Sequence, residues 1–141
     1  MRIALTGLMT SIVLAAALAP SGCGWLFSDR APSSASAPPI SMFVDIPLPP
    51  EAELNQKDSQ VYEHAIGRVG LMRASVRLSQ DAVLSYYREA MVQRGWSRES
   101  EFDNGDRKLM IFSKSPRSAA ITVSEGWMKT DVEINVSARQ Q

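Results

Sequence analysis

The sequence predicts an α+β domain: a mostly antiparallel sheet of about four to six strands in a two-layer arrangement, with one amphipathic helix at about residues 79–94 packed on one face. Three observations predict it. Val83, Tyr86, Tyr87, Ala90 and Met91 recur at the i, i+3, i+4, i+7, i+8 spacing of a helix that buries one side. Thr130, Val132, Ile134 and Val136 alternate with Asp131, Glu133 and Asn135, the period of a half-buried strand. Asp103-Asn104-Gly105-Asp106 separates two strand-like runs, and Asn-Gly suits hairpin turns that need positive φ.

Taken along the chain, Val61–Ile66 and Val69–Leu78 form a strand pair hinged at Gly67. Ser79 is a good N-cap for the helix that follows, Asp81 favours its first turn, and Gly95 ends it. Ser85, Arg88, Glu89 and Val92 take the wet side. Trp96–Phe102 and Arg107–Ser113 flank the Asn-Gly turn, and Ser115-Pro116-Arg117 makes the next one. Ala119–Ser124 is a strand with Ile121 and Val123 inward, and Glu125-Gly126 begins the connection to Thr130–Val136. The resulting order is strand, strand, helix and four further strands, joined by short turns that favour antiparallel neighbours.

Composition narrows the function classes. The chain has 141 residues, with 15 Lys+Arg against 15 Asp+Glu, 45 % hydrophobic and 21 % charged residues. That balance argues against a strongly basic nucleic-acid binder, an acidic disordered tail and a polytopic membrane protein. A single cysteine excludes an internal disulfide, and with the lone His64 it makes no Cys/His zinc site. No metal or other cofactor is expected.

Residues 1–22 read as a signal peptide: Met1-Arg2 is a positive start, Ile3 to Ala19 is uncharged, and Pro20-Ser21-Gly22 breaks the run. A transmembrane anchor is the competing reading; Thr6, Gly7, Thr10 and Ser11 dilute the run, and no positive cluster follows as a stop signal. Residues 23–44 form the new N-terminus and a tether. Six of the eight prolines fall between residues 32 and 50, a composition with too few apolar side chains to offset the entropy of ordering. Residues 28–45 reach roughly 25 Å as a coil or about 55 Å as polyproline II. Residues 45–141 remain for one small α+β domain.

Ser21-Gly22-Cys23 resembles the lipobox of bacterial lipoproteins, with Pro20 where an aliphatic residue is usual. The resemblance implies that Cys23 becomes a lipidated N-terminus bearing a diacylglycerol and an amide-linked chain such as palmitate. Two or more chains give stable membrane anchoring where one holds weakly. Gly24 stands where an aspartate commonly marks inner-membrane retention, so the resemblance implies an outer-membrane anchor facing the periplasm in a Gram-negative host, and a cell-membrane anchor otherwise. Trp25, Leu26 and Phe27 follow, and aromatic rings favour the membrane boundary. Tyr86-Tyr87, Met91 and Gly95-Trp96 resemble a helix-to-strand pattern of small bacterial lipoproteins that carries no implied activity. The element order is loosely similar to that of helix-on-sheet accessory lipoproteins of outer-membrane barrel assembly, a likeness of fold alone.

No constellation for catalysis stands out. His64 alternates with Glu63 in a strand and reads as a surface residue. No serine elbow and no Gly-rich phosphate loop is present. Asp103 and Asp106 lack the further oxygen ligands of a Ca²⁺ loop. Glu99 and Glu101 share strand parity, and with Asp103 and Asp106 they read as a solvated hairpin rather than a pair of working carboxylates. Tyr86, Tyr87 and Trp96 read as core. The one directional feature is basic: Arg68, Arg73, Arg77, Arg88, Arg94 and Arg98 stand against Asp81 and Glu89 within residues 68–98, an excess of +4. Arg73 and Arg77 share strand parity and form a candidate anion-binding face.

The expectation is therefore a non-enzymatic, membrane-anchored binding or accessory module whose partner is an envelope protein or an anionic envelope polymer, and not a nucleic acid. A small carboxylate hydrolase and a structural spacer are the alternatives.

Overall fold

A computed structural model describes residues 40–139; the expected signal peptide, Cys23 and the expected tether up to residue 39 lie outside them. Six strands and one helix follow in the order β1 (Glu53–Tyr62), β2 (Val69–Val76), α1 (Gln80–Gln93), β3 (Ser97–Asn104), β4 (Arg107–Lys114), β5 (Arg117–Glu125) and β6 (Thr130–Ala138). All strands pair antiparallel in one sheet of order β1-β2-β6-β5-β4-β3. This is an α+β layout.

The strand order follows from lengths. From β3 onward, tight hairpins walk the chain back one strand at a time until β6 pairs with β2. The chain must therefore leave β2 and land four strands away, about 19 Å at the usual spacing. A helix of 14 residues is about 21 Å long, so α1 carries the chain across the sheet, lying against β5 and β3.

Ser79 caps the helix, its hydroxyl accepting from the Ala82 amide at 3.3 Å. At the other end Gly95 N–H donates to Val92 O at 3.0 Å and Trp96 N–H to Met91 O at 3.0 Å. Together these make a Schellman ending with Trp96 and Met91 in apolar register. The buried stripe is Val83, Leu84, Tyr87 and Met91. Leu84 thus joins the expected face, while Tyr86 is half-buried because its hydroxyl turns to donate to Leu48 O at 2.7 Å. Ser85, Arg88, Glu89 and Val92 are exposed.

The covered side of the sheet presents Met72, Ala74, Val76, Met110, Phe112, Ala119, Ile121, Val123 and the alternate residues Val132, Ile134 and Val136, all buried. Each large apolar side chain removed from water contributes about 1.5–3 kcal/mol before entropy is counted. One helix does not cover six strands. The rest is closed by the segment before β1, where Phe43, Ile46 and Leu48 enter the same core. The folded region therefore begins a few residues before the expected boundary at 45; Phe43, inside the expected tether, is fully buried.

Three local expectations need correction. The first strand runs Glu53–Tyr62 rather than Val61–Ile66, which leaves Glu63 and His64 in the turn, His64 O accepting from Gly67 N–H at 2.9 Å. The reason is that β1 is a polar edge strand, exposed at six of its first eight positions. The hairpin turn between β3 and β4 is centred on Gly105-Asp106, since Asn104 pairs with Arg107. Glu99 and Glu101 do not share a face, because the β3–β4 register shifts between Arg98 and Ser100. Both edge strands carry such irregularities, β1 between Asn55 and Gln60, and bulged polar edges resist pairing with further strands.

Candidate functional site

Strand alternation defines the side of the sheet opposite α1. In register across β3, β4, β5, β6 and β2 it carries Phe102, Leu109, Thr122, Glu133 and Arg73, with Ile111 and Ala120 in the next row. Leu109, Ile111 and Ala120 are half-buried by their neighbours alone, and Phe102 is 57 % exposed. The β3–β4–β5 part of this face is therefore an apolar patch. The β6–β2 part is polar, crossed by the Arg73–Glu133 ion pair at 2.8 Å.

The six arginines do not converge. Arg68 pairs with Glu63 at 2.6 Å and donates to Met42 O at 2.9 Å. Arg88 and Arg98 both hold Glu101, the latter at 3.2 Å. Arg94 donates to Val44 O at 3.2 Å. Arg73 lies in a groove of about 340 Å³ with Asp58, Asp131 and Glu133, where three carboxylates outnumber its charge. Arg77 sits past the end of β2 and makes no ion pair among the described residues. The structure does not bring Arg73 and Arg77 to one site: Arg77 lines a separate groove of about 550 Å³ with Leu78, Gln80, Trp127 and Met128.

The hairpin carboxylates disperse as well. Glu99 accepts from Ser113 Oγ and pairs with Arg139 at 3.3 Å, while Glu101 turns to Arg88 of the helix. The Ser113 hydrogen bond and the Arg139 charge hold the Glu99 carboxyl below its usual range, and the Arg88 hydrogen bond does the same for Glu101. Asp103 accepts from Gly105 N–H at 3.0 Å and pairs with Lys108 at 3.2 Å. Among the described residues no group of three or more His, Cys, Asp or Glu is placed to hold a metal ion. Tyr87 and Trp96 are buried, and the Tyr87 hydroxyl, its pKa pushed well up by burial, has no hydrogen-bond partner among the described residues.

Two further features lie outside the expected sites. One is a latch. Asp45, 20 % exposed, accepts from Arg117 at 2.5 Å and Lys114 at 3.2 Å. Both cations lie over the Trp96 ring, at 5.3 and 5.9 Å from its centroid, and Trp96 Nε1–H donates to Asp45 O at 3.0 Å. Burial pushes the Asp45 carboxyl up, but the two hydrogen bonds and the two charges outweigh it and hold the group below its ordinary value. A carboxyl with a depressed folded pKa stabilises above its unfolded value, near 4, and loses that contribution as pH falls through the folded value. Asp45→Asn is thus expected to destabilise by about 1–3 kcal/mol at neutral pH, leaving Arg117 poorly paired. In urea titrations its gap to the native protein should close as pH falls below about 4; a constant gap would dissociate the carboxylate from the latch.

The other feature is the β5–β6 turn. Trp127 is 98 % and Met128 78 % exposed, and Leu78 beside them is 39 % exposed. The turn is closed by Gly126 N–H to Lys129 O at 3.0 Å, and Thr130 Oγ1 donates to Leu78 O at 2.5 Å, tying it to the β2–α1 loop. Among the described residues no helix is long and apolar enough to cross a membrane. No protein-family model, no curated protein and no solved structure matches the chain, so its own geometry carries the functional reading.

Proposed function

We propose that the chain is a lipid-anchored cell-envelope protein, held through Cys23 and facing the periplasm from the outer membrane of a Gram-negative host, whose two-layer domain is a non-catalytic binding or accessory module for another envelope protein. The anchor rests on the apolar leader and the lipobox-like Ser21-Gly22-Cys23. The observation that carries the binding role is the apolar patch on the uncovered sheet face, where Phe102 and Leu109 pair directly and Ile111 and Ala120 extend the surface. An apolar centre bounded by hydroxyls and an ion pair has the composition of a protein interface. The arginines and carboxylates are dispersed over several elements, which favours neither an anionic polymer nor hydrolysis.

A photoreactive residue placed at Phe102 in living cells tests this reading. The expected product is one envelope protein captured in near-equal amount, and Leu109→Glu should abolish the capture while the domain stays folded. Capture of the chain alone, or capture that survives Leu109→Glu, would overturn the binding role. Mass spectrometry of the N-terminal peptide tests the anchor separately, since an unmodified Cys23 would remove it.

A further inference from the structure

We infer that the β5–β6 turn is a second membrane contact: Trp127 and Met128 enter the headgroup–acyl boundary of a phospholipid bilayer while Arg77 meets a lipid phosphate. Trp127 is more exposed than any other large apolar side chain among the described residues, and Met128 continues the same surface. Exposed apolar side chains on a braced turn lower their free energy by leaving water, and an indole, with an apolar body and one N–H, prefers the membrane–water boundary. Arg77 lines the same groove and makes no ion pair among the described residues, although its charge also acts on Glu53, which Lys129 holds at 2.6 Å. A guanidinium matches phosphate geometry. Asp81, Glu125 and Asp131 also border the turn and Glu53 lies near Arg77, so the contact rests on the indole and thioether more than on net charge. It should therefore change little with salt.

Chain length makes the same bilayer reachable, a point that rests on the Cys23 anchor proposed above. The described chain begins at Ile40, against Val61, Tyr62 and Arg68 at the β1–β2 turn, whereas Trp127 lies beside Arg77 past the far end of β2. The eight residues of β2 separate these poles by about 26 Å. Cys23 and Ile40 are 17 residues apart, and a chain of that length spans at most about 56–61 Å. Chain length therefore does not prevent the Trp127 pole from meeting the anchoring membrane. Tethering also supplies a high effective lipid concentration, so a contact too weak to recruit a free protein becomes populated.

The test uses the full protein, purified from membranes with a Trp25→Phe substitution and reconstituted into phosphatidylethanolamine vesicles with a minor phosphatidylglycerol fraction. Trp96 is 2 % exposed, so the environment-sensitive emission then belongs to Trp127. The expected result is a blue-shifted Trp127 emission that is quenched when the lipids carry bromine near the headgroup. The quenched component should vanish in Trp127→Ala, weaken in Arg77→Gln and persist at high salt. Emission of a water-exposed indole, unaffected by brominated lipid, would overturn the inference, as would shielding of Trp127 that arises only when envelope proteins are added. The acylation state of Cys23 is measured on the same sample: an unmodified cysteine would defeat the anchor, while quenching at high lipid concentration would still report on the turn.

Discussion

Trp96→Ala is expected to cost about 3–5 kcal/mol, the range for removing a large aromatic side chain from a well-packed core. Trp96 is 2 % exposed and stands where three parts of the molecule meet. Its amide closes the helix ending on Met91 O. The indole N–H holds Asp45 O, and the ring lies beneath Lys114 and Arg117, which in turn hold the Asp45 carboxylate. Truncation opens a cavity under the helix end and also unfastens the segment that delivers Phe43, Ile46 and Leu48 to the core. A domain of this size has about 5–15 kcal/mol in total, so the variant should be close to unfolding at physiological temperature. Trp96→Phe keeps most of the volume and loses the N–H, and should cost about 1–2 kcal/mol. Denaturant midpoints for the two variants, with unchanged slopes, check the prediction. A cost below about 1 kcal/mol for the alanine would mean that the latch is peripheral.

The elements that could be read from the sequence are those whose signal is local. α1 shows its period within 14 residues and carries its cap at Ser79 and its ending at Gly95. β6 alternates cleanly because one face is buried and the other wet. β1 gives no such signal: it is an edge strand with a polar run, and its first eight residues include only one apolar side chain, Leu54. A strand wet on both faces has no reason to alternate. Strand order was equally out of reach, since β2 finds β6 through pairs such as Arg73 and Glu133 about sixty positions apart.

The candidate sites divide in the same way. Parity placed Glu99 and Glu101 together, and one bulge, invisible in residue types, separated them. Basic residues clustered in sequence found acidic partners on other elements, as Arg88 did with Glu101 and Arg73 with Glu133. Asp45 reaches cations 69 and 72 residues away, beyond any local pattern. The Trp127-Met128 pair was legible in principle, as two large apolar residues directly after a glycine in a short connection. What residue types do not reveal is that both side chains stay out of the core.

Gly70→Ala is expected to destabilise by about 3–4 kcal/mol, from a strained backbone and an overpacked contact together. Gly70 lies inside β2, between Val61 of β1 and Val136 of β6, with φ at +131°. A side chain rarely adopts that value, and a Cβ added there would stand 2.1 Å from Gln60 O and 3.0 Å from Val61 Cα. Both obstacles are backbone atoms, so no rotamer change relieves them. The cheaper escape is for the far part of β1 to leave the sheet, because β1 is an edge strand held there by the pairs Gln60–Leu71, Val61–Gly70 and Tyr62–Val69. Hydrogen exchange should therefore accelerate first at the amides of residues 60–62 and 69–71, with β4 and β5 protected until global unfolding. Gly105→Ala is the matched control: its φ is +69° but a Cβ there meets nothing within 4 Å, so it carries strain without collision and should cost about 1–2 kcal/mol. If the two substitutions cost the same, the collision with Gln60 O has no energetic weight, and β1 is already loose where it passes Gly70.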